Sequence, residues 1–415
     1  MIPHPPIYIG DEALEKLVAF CKQNELEKFM LVTDQNTYRV LGAKVEQQLR
    51  EQGWDVKNAM IEGENIDSDE RSFMQVFLKS DQSERTYIAI GSGTITDVTR
   101  FTSKVTRNQF ICMPTAASVD AYNPINAALT INGIKSSVQC HTPLAVFCDL
   151  NTVATAPKRL TSSGFGDLVS KLAAPIDWRL NALLGDVQFD QEIFKRVLAA
   201  AKRMVDVREG IANSDRESMR IFMECQIESG LCMADYGNST PVSGAEHQME
   251  HMWGMYWYHQ NRHGLMHGDA VGVAVVITSS WFEQLRRISR EEASRRLNEL
   301  KIPSRQEQEI VLHEKLGVFA DYVIKGNPII MQLTDPVKFQ QLQEKILNNW
   351  DEIQASAEQV PSPQQFTAWM KTAGAPTLPA EIGLSNAEVE LAKDYSHYFR
   401  NRFSIAVLRQ LLGIT

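Results

Sequence analysis

Asp167, His247 and His267 are metal-ligating residue types that fall within about a hundred residues, in the segments SGFGDLVSK, SGAEHQMEH and LMHGDAVGV. One carboxylate with two imidazoles is a common way to hold a catalytic divalent cation, because it leaves coordination positions open for a substrate oxygen. Five of the nine histidines lie between 247 and 267, and core filling does not explain such clustering. His247 and His251 stand four residues apart, so on a helix they share one face. A cation held here would polarise an alcohol or carbonyl oxygen and stabilise an alkoxide. That chemistry fits hydride transfer to or from a nicotinamide, and equally a hydratase, a lyase or a hydrolase.

Three further stretches carry candidate chemistry. In TYIAIGSGTITDVTRF, Gly91, Ser92 and Gly93 end an apolar strand and Thr94 to Asp97 open a helix. Backbone N–H groups and a helix N-terminus then point at one spot, which suits a phosphate or pyrophosphate. A plain strand-to-helix turn would read the same way, and the segment departs from the usual GxGxxG. Asp34 ends the strand-like FMLVTD. It either accepts hydrogen bonds from a ribose diol and repels a ribose phosphate, favouring NAD over NADP, or simply caps the next helix. In CMPTAASVDAYNP, small residues with Thr115, Ser118 and Asp120 follow a strand, where the chain can approach a ligand closely. Turn formation accounts for Asn123 and Pro124 but less easily for Asp120.

These residues need a scaffold, and hydrophobic patterning outlines one. Apolar runs at 29–32, 87–90, 110–112 and 145–148 alternate with helical patterns over 13–23 and 42–52, which predicts a parallel sheet covered on both faces. After residue 161 long helical patterns take over, at 166–184, 191–211, 216–234, 243–260 and 269–285, with charged helical stretches at 289–300 and 336–358. The expected organisation is an α/β domain over 1–160 and an all-α domain over 161–415. A net charge of -9 argues against a nucleic-acid partner. The start MIPHPPIYIGDEAL lacks a secretory pattern and no apolar stretch is long enough to span a bilayer, so the expectation is a cytoplasmic protein without a membrane partner. Six cysteines without a CxxC pair read as buried, reduced thiols.

Together, GSGTITD at 91–97, PTAASVDAY at 114–122, GFGDLVSK at 164–171, SGAEHQMEH at 243–251 and HGDAVGV at 267–273 resemble, in order, the motifs of the iron-containing alcohol dehydrogenase superfamily, which includes glycerol dehydrogenase and dehydroquinate synthase. Within it the likeness is closest to the bacterial sn-glycerol-1-phosphate dehydrogenase family. The resemblance implies a dehydroquinate synthase-like two-domain fold, with NAD(P) bound by the α/β domain over 1–160, metal and substrate by the helical domain over 161–415 and the active site in the cleft between them. The enzyme it implies is metal-dependent and uses NAD(H) or NADP(H) to interconvert dihydroxyacetone phosphate and sn-glycerol 1-phosphate. It implies that Asp167, His247 and His267 bind zinc or nickel. It also implies that Gly91, Ser92, Gly93, Thr94 and Asp97 hold the dinucleotide, with Thr115 and Ser118 beside it and Asp120 near substrate and nicotinamide. His251 would touch substrate or relay a proton, and Lys135, in INGIKSS, would direct a cation toward a small phosphorylated substrate. A homodimer is expected by the same likeness. Val119 and Ala121 depart from PTAASNDG, and Asp269 and Ala270 from HGEKV, departures that bear on the substrate more than on the reaction type. Alternatives on this scaffold are a glycerol dehydrogenase-like enzyme for another small polyol or carbonyl, a cyclase that uses NAD transiently, and a binding protein without the chemistry.

Overall fold

Phe29 and Leu31 point to one face of their strand and Met30 and Val32 to the other, yet all four are fully buried, which requires a sheet covered on both sides. In the computed structural model, which describes residues 4–81, 83–185 and 187–415, this strand belongs to a six-stranded sheet. The strands of the first 150 residues are β1 (Ile7–Gly10), β2 (Lys28–Asp34), β3 (Asp55–Ile61), β4 (Thr86–Gly91), β5 (Phe110–Pro114), β6 (Asn126–Ile131), β7 (Ile134–Gln139) and β8 (Val146–Asp149). The large sheet runs β1-β8-β5-β4-β2-β3 with every pair parallel. Helices α1 (Ala13–Gln23) and α2 (Ala43–Glu51) cover the Phe29 and Leu31 face through Leu17, Cys21, Val45 and Leu49. Helices α3 (Glu70–Lys79) and α4 (Gly93–Val105) cover the other face through Val76 and Val98.

The chain moves outward from β2 to β3, then returns across the sheet to β4 and on to β5. Connections therefore diverge between β2 and β4, the topological switch point at which open α/β sheets bind ligands. Val32 pairs with Ala89, so by the same register Asp34 and Gly91 end their strands level with each other at that point. Four strands fall outside the sequence expectation on this side. The edge strands β1 and β3 extend the sheet, and β6 and β7 form an antiparallel hairpin. Its turn is Asn132-Gly133 with φ of 51° and 75°, the left-handed pair that a two-residue hairpin loop demands.

Beyond β8 the described residues form helices and turns only. Those that build the site are α5 (Lys158–Val169), α6 (Ala174–Gly185), α7 (Gln191–Asp206), α8 (Arg216–Tyr236), α9 (Ala245–His259) and α10 (His267–Leu285). The single helix expected over 166–184 is two, broken by a tight turn at Ser170–Leu172. Pro175, second in α6, lacks the N–H that would have continued the preceding helix. The patterns over 191–211 and 336–358 also split, after Asp206 and around Asn349.

Helices α5 and α10 cross with their backbones in contact. A Cβ on Gly166 would lie 2.4 Å from the Gly268 carbonyl oxygen, and one on Gly268 would lie 1.9 Å from that of Ser163. Only residues without a side chain permit this approach, and it brings together Asp167 and His267, each the immediate neighbour of a crossing glycine. All six cysteines are buried and unpaired. No helix of the described residues is long and apolar enough to cross a membrane.

Candidate active site

Asp167 near the end of α5, His247 in the first turn of α9 and His267 at the start of α10 each offer one ligand atom, and these atoms lie within 4.8 Å of one another. The two imidazoles are aimed by carboxylates. The Nδ1 of His247 is 2.7 Å from Glu246 Oε1, and the Nδ1 of His267 is 3.1 Å from Glu250 Oε1. With Nδ1–H donated to those partners, the lone pairs of both Nε2 atoms face Asp167 Oδ1, at 3.7 Å and 3.9 Å. Burial opposes ionisation of Asp167, but Lys171, His247 and His267 hold its carboxylate well below the usual range. Burial opposes the charge on Glu250 too, and Lys135 and His267 overcome it. An anionic oxygen and two oriented imidazole lone pairs, backed by a second layer of carboxylates, fit a divalent transition metal.

Asp120 reaches this cluster from the loop after β5. Its N–H donates to Asp167 Oδ2 at 3.3 Å, and its own Oδ2 accepts from Ser229 Oγ of α8 at 2.6 Å. The fully buried Lys171 joins the two acids, 2.6 Å from Asp167 Oδ1 and 3.4 Å from Asp120 Oδ2. Gly164 allows the same loop to press on α5, since a Cβ there would fall 1.9 Å from the Ala117 carbonyl oxygen.

Two adjoining cavities meet at His267. The larger, about 450 Å³, is lined by Ser92, Gly93, Thr94 and Ser118 on the sheet side and by the 262–267 segment on the helical side. Ser92 precedes α4 without capping it through its side chain, which leaves the first-turn N–H groups for a ligand. The smaller cavity, about 230 Å³, is lined among others by Asp97, Asp120, Lys135, His247, His251 and Arg400. Burial pushes Asp97 up to about 7 while Arg100 works against the shift. That arginine, 2.6 Å from Asp97, also donates to the carbonyls of Ala121 and Asn126 and so clamps the segment after Asp120. Val119, one of the departures from the family pattern, packs against Gly93, where a Cβ would meet its Cγ2 at 2.9 Å.

Four sequence candidates, Asp34, Gly91, Thr115 and the fully buried Asp167, do not line either cavity. Asp34 caps the turn after β2, its Oδ1 accepting from the N–H groups of Asn36 and Thr37. Thr115 is buried and its N–H donates to the Gly91 carbonyl, tying the two loops together. Lys135 lines both cavities and is 2.6 Å from Glu250. His251 lies against Arg400, whose Nη2 and Nε donate to its Nδ1 at 2.8 Å and 3.2 Å. Burial, then Arg400 and Lys135, hold the His251 imidazole neutral well below its usual range. Asp269 faces away from the metal cluster into a separate cavity with Arg159, and burial pushes it up to about 6.

Sequence reading overlooked Glu246, Glu250, Lys171 and Arg400. The first two carried a signal, being acids beside and one turn along from His247 in a helix where both are buried. Lys171 stands four residues after Asp167, within reach on one helical face. Arg400 carried none, because 149 residues separate it from His251.

Known proteins match this chain in sequence and in fold. A family model for iron-containing alcohol dehydrogenases matches residues 8–157, the strand-bearing part. A glycerol-1-phosphate dehydrogenase (NAD(P)+) of Geobacillus thermodenitrificans is 28% identical over 403 residues, covering 96% of this chain and 90% of the relative. The protein of the same name from Halalkalibacterium halodurans is 31% identical over 280 residues, 67% of this chain and 70% of the relative. Among solved structures, a probable glycerol dehydrogenase from Sinorhizobium meliloti superimposes with a TM-score of 0.62 at 14% identity, covering 100% of this chain and 97% of the other. The parallel sheet followed by helices is thus the fold of the iron-containing alcohol dehydrogenases. The chain belongs to the glycerol-1-phosphate dehydrogenase family within that superfamily.

Proposed function

We propose that this protein is a metal-dependent oxidoreductase that interconverts dihydroxyacetone phosphate and sn-glycerol 1-phosphate with NAD(H) or NADP(H). The observation that carries the reading is the convergence of Asp167, His247 and His267 where the two cavities meet. One cavity has a phosphate-binding helix start, and the other has the dimensions of a small substrate. When bound, a zinc or nickel ion in this set supplies Lewis acidity to a substrate oxygen, and a nicotinamide carries the hydride.

The chain's own groups do the rest. First-turn N–H groups of α4 bind the pyrophosphate, and Ser118 and Val119 flank it. Asp120, held by Ser229 and Lys171, fixes the loop that separates cofactor from substrate. His251 accepts from Arg400 at Nδ1, so its neutral ring keeps its hydrogen on Nε2 and donates a hydrogen bond within the substrate cavity, while water supplies the proton that the alkoxide takes up. The free Oδ2 of Asp34, level with Gly91 at the switch point, favours an unphosphorylated ribose and hence NAD. A division near residue 160, a homodimeric state and a cytoplasmic setting complete the proposal.

The test is oxidation of NADH and NADPH by dihydroxyacetone phosphate, followed by chiral analysis of the glycerol phosphate formed. The expected product is the sn-1 enantiomer, with NADH used better than NADPH. Turnover of unphosphorylated carbonyls only, or phosphate release without net NADH consumption, contradicts the proposal.

A further inference from the structure

Lys135 is the cation that sequence likeness points toward a substrate phosphate, yet its ammonium is 2.6 Å from Glu250, the acid that orients His267. Arg400 stands in a different electrostatic position. It lines the same cavity of about 230 Å³ as His247 and His251, and among the described residues no carboxylate lies within ion-pair distance of its guanidinium. Its Nε and Nη2 are fixed by the neutral ring of His251, which leaves Nη1 without an acceptor. Arg402, two residues on, is likewise half-buried and also lacks an ion-paired acid, donating to the Ser243 carbonyl and to Ser239 Oγ on the same cavity wall. Burial pushes Arg402 down to about 9, with Arg400 adding to the shift. Two guanidinium groups without a direct carboxylate partner, with Glu250 and Glu246 acting on them only from beyond ion-pair distance, are a costly arrangement in a partly dry wall, and an anion in the cavity relieves it.

Distance favours the same partner. His247 and His251 are one turn apart on α9, a rise of roughly 6 Å. Arg400 sits on His251, which places its contact one turn along α9 from His247, with all three side chains lining one cavity. A three-carbon chain bridges such a gap, with its carbonyl oxygen at the metal end and its phosphate at the arginine end. Resting on the reaction proposed above, we infer that Arg400 is the phosphate-recognising, specificity-determining residue of this site, with Arg402 supporting its charge and His251 fixing its plane. The planar fork suits phosphate oxygens, whereas Lys135 serves chiefly to hold Glu250.

Metal-loaded wild type, Arg400→Met and Arg400→Lys are compared on dihydroxyacetone phosphate and on unphosphorylated dihydroxyacetone. Arg400→Met is expected to collapse the preference for the phosphorylated substrate by roughly 100-fold, mostly through KM, and Arg400→Lys to restore part of it. Lys135→Met is expected to lower turnover of both substrates alike. An unchanged preference in Arg400→Met, or equal losses on both substrates carried by kcat, overturns the inference. If the wild type reduces no phosphotriose, the reaction reading fails and the arginine is judged separately by calorimetry with inorganic phosphate. Binding to wild type that Arg400→Met abolishes supports the phosphate site; equal binding, or none to wild type, overturns it.

Discussion

His247 and His267 face Asp167 because each donates its other ring nitrogen to a glutamate, Glu246 for one and Glu250 for the other. Such second-layer carboxylates fix tautomer and ring plane, and their loss typically weakens metal binding about 10–100-fold. His247→Ala is therefore expected to lose both metal and turnover with an unchanged far-ultraviolet circular dichroism spectrum, and Glu246→Gln to retain metal at an affinity lower by about that factor in chelator competition. Metal retained at full affinity by both variants would remove these residues from the site. The convergence of Asp167, His247 and His267 as candidate ligands was legible in the sequence, because Asp and clustered His have few other reasons to recur at such spacing. Of the acids and bases around them, Glu246, Glu250 and Lys171 offered only their helical spacing to His247 and Asp167 as a signal and Arg400 offered none, all four being common helix-surface residue types until the fold buries or aligns them.

Elements bring these side chains together mainly through the crossing of α5 and α10. An alanine in an ordinary helix position stabilises by up to about 1 kcal/mol over glycine. At Gly268 the sign should reverse: the added Cβ would sit 1.9 Å from the Ser163 carbonyl, and Gly268→Ala should cost about 3 kcal/mol in denaturant unfolding and weaken metal binding. Gly254→Ala in α9, where the nearest atom is a Glu250 side-chain oxygen at 3.7 Å, is the control expected to stabilise. A second element-scale prediction concerns His397, almost fully buried beside Tyr398, with neither ring nitrogen bonded. Burial, then Arg409, push it down to about 3 from an ordinary 6.5. The unfolded chain takes up a proton between those values and the folded chain does not, so stability falls as pH drops below about 6.5, by about 1 kcal/mol per pH unit from this group. His397→Phe should flatten that acid limb; equal losses for both proteins between pH 7 and 5 would contradict the assignment. Periodicity outlined α1 to the residue and the four central strands, where patterns are long or wholly apolar. It overlooked β1, only four residues long, and β3, whose Asp55, Lys57 and Asn58 dilute the apolar signal. The β6–β7 hairpin was missed although Asn132-Gly133 announced it, and continuous helical patterns concealed the breaks at 170–172 and near 349.

Across the whole molecule, a sheet lays the turn at 91–94 at its switch point and a helical body presents the Asp167, His247 and His267 cluster to it, with Gly93, Val119 and His267 at the seam. A ligand held by α5, α9 and α10 together stabilises the folded chain by mass action, about 4 kcal/mol at a thousand times its dissociation constant. Zinc or nickel should accordingly raise the melting temperature of chelated protein by several degrees, and should not do so for His247→Ala. The most direct test of the account is reconstitution. Purified protein is stripped with chelator, assayed for NADH oxidation with dihydroxyacetone phosphate, then titrated with zinc or nickel while bound metal is counted. The account predicts no turnover in the stripped protein and activity that rises in proportion to metal, ending at one ion per chain; full turnover by metal-free protein would contradict it.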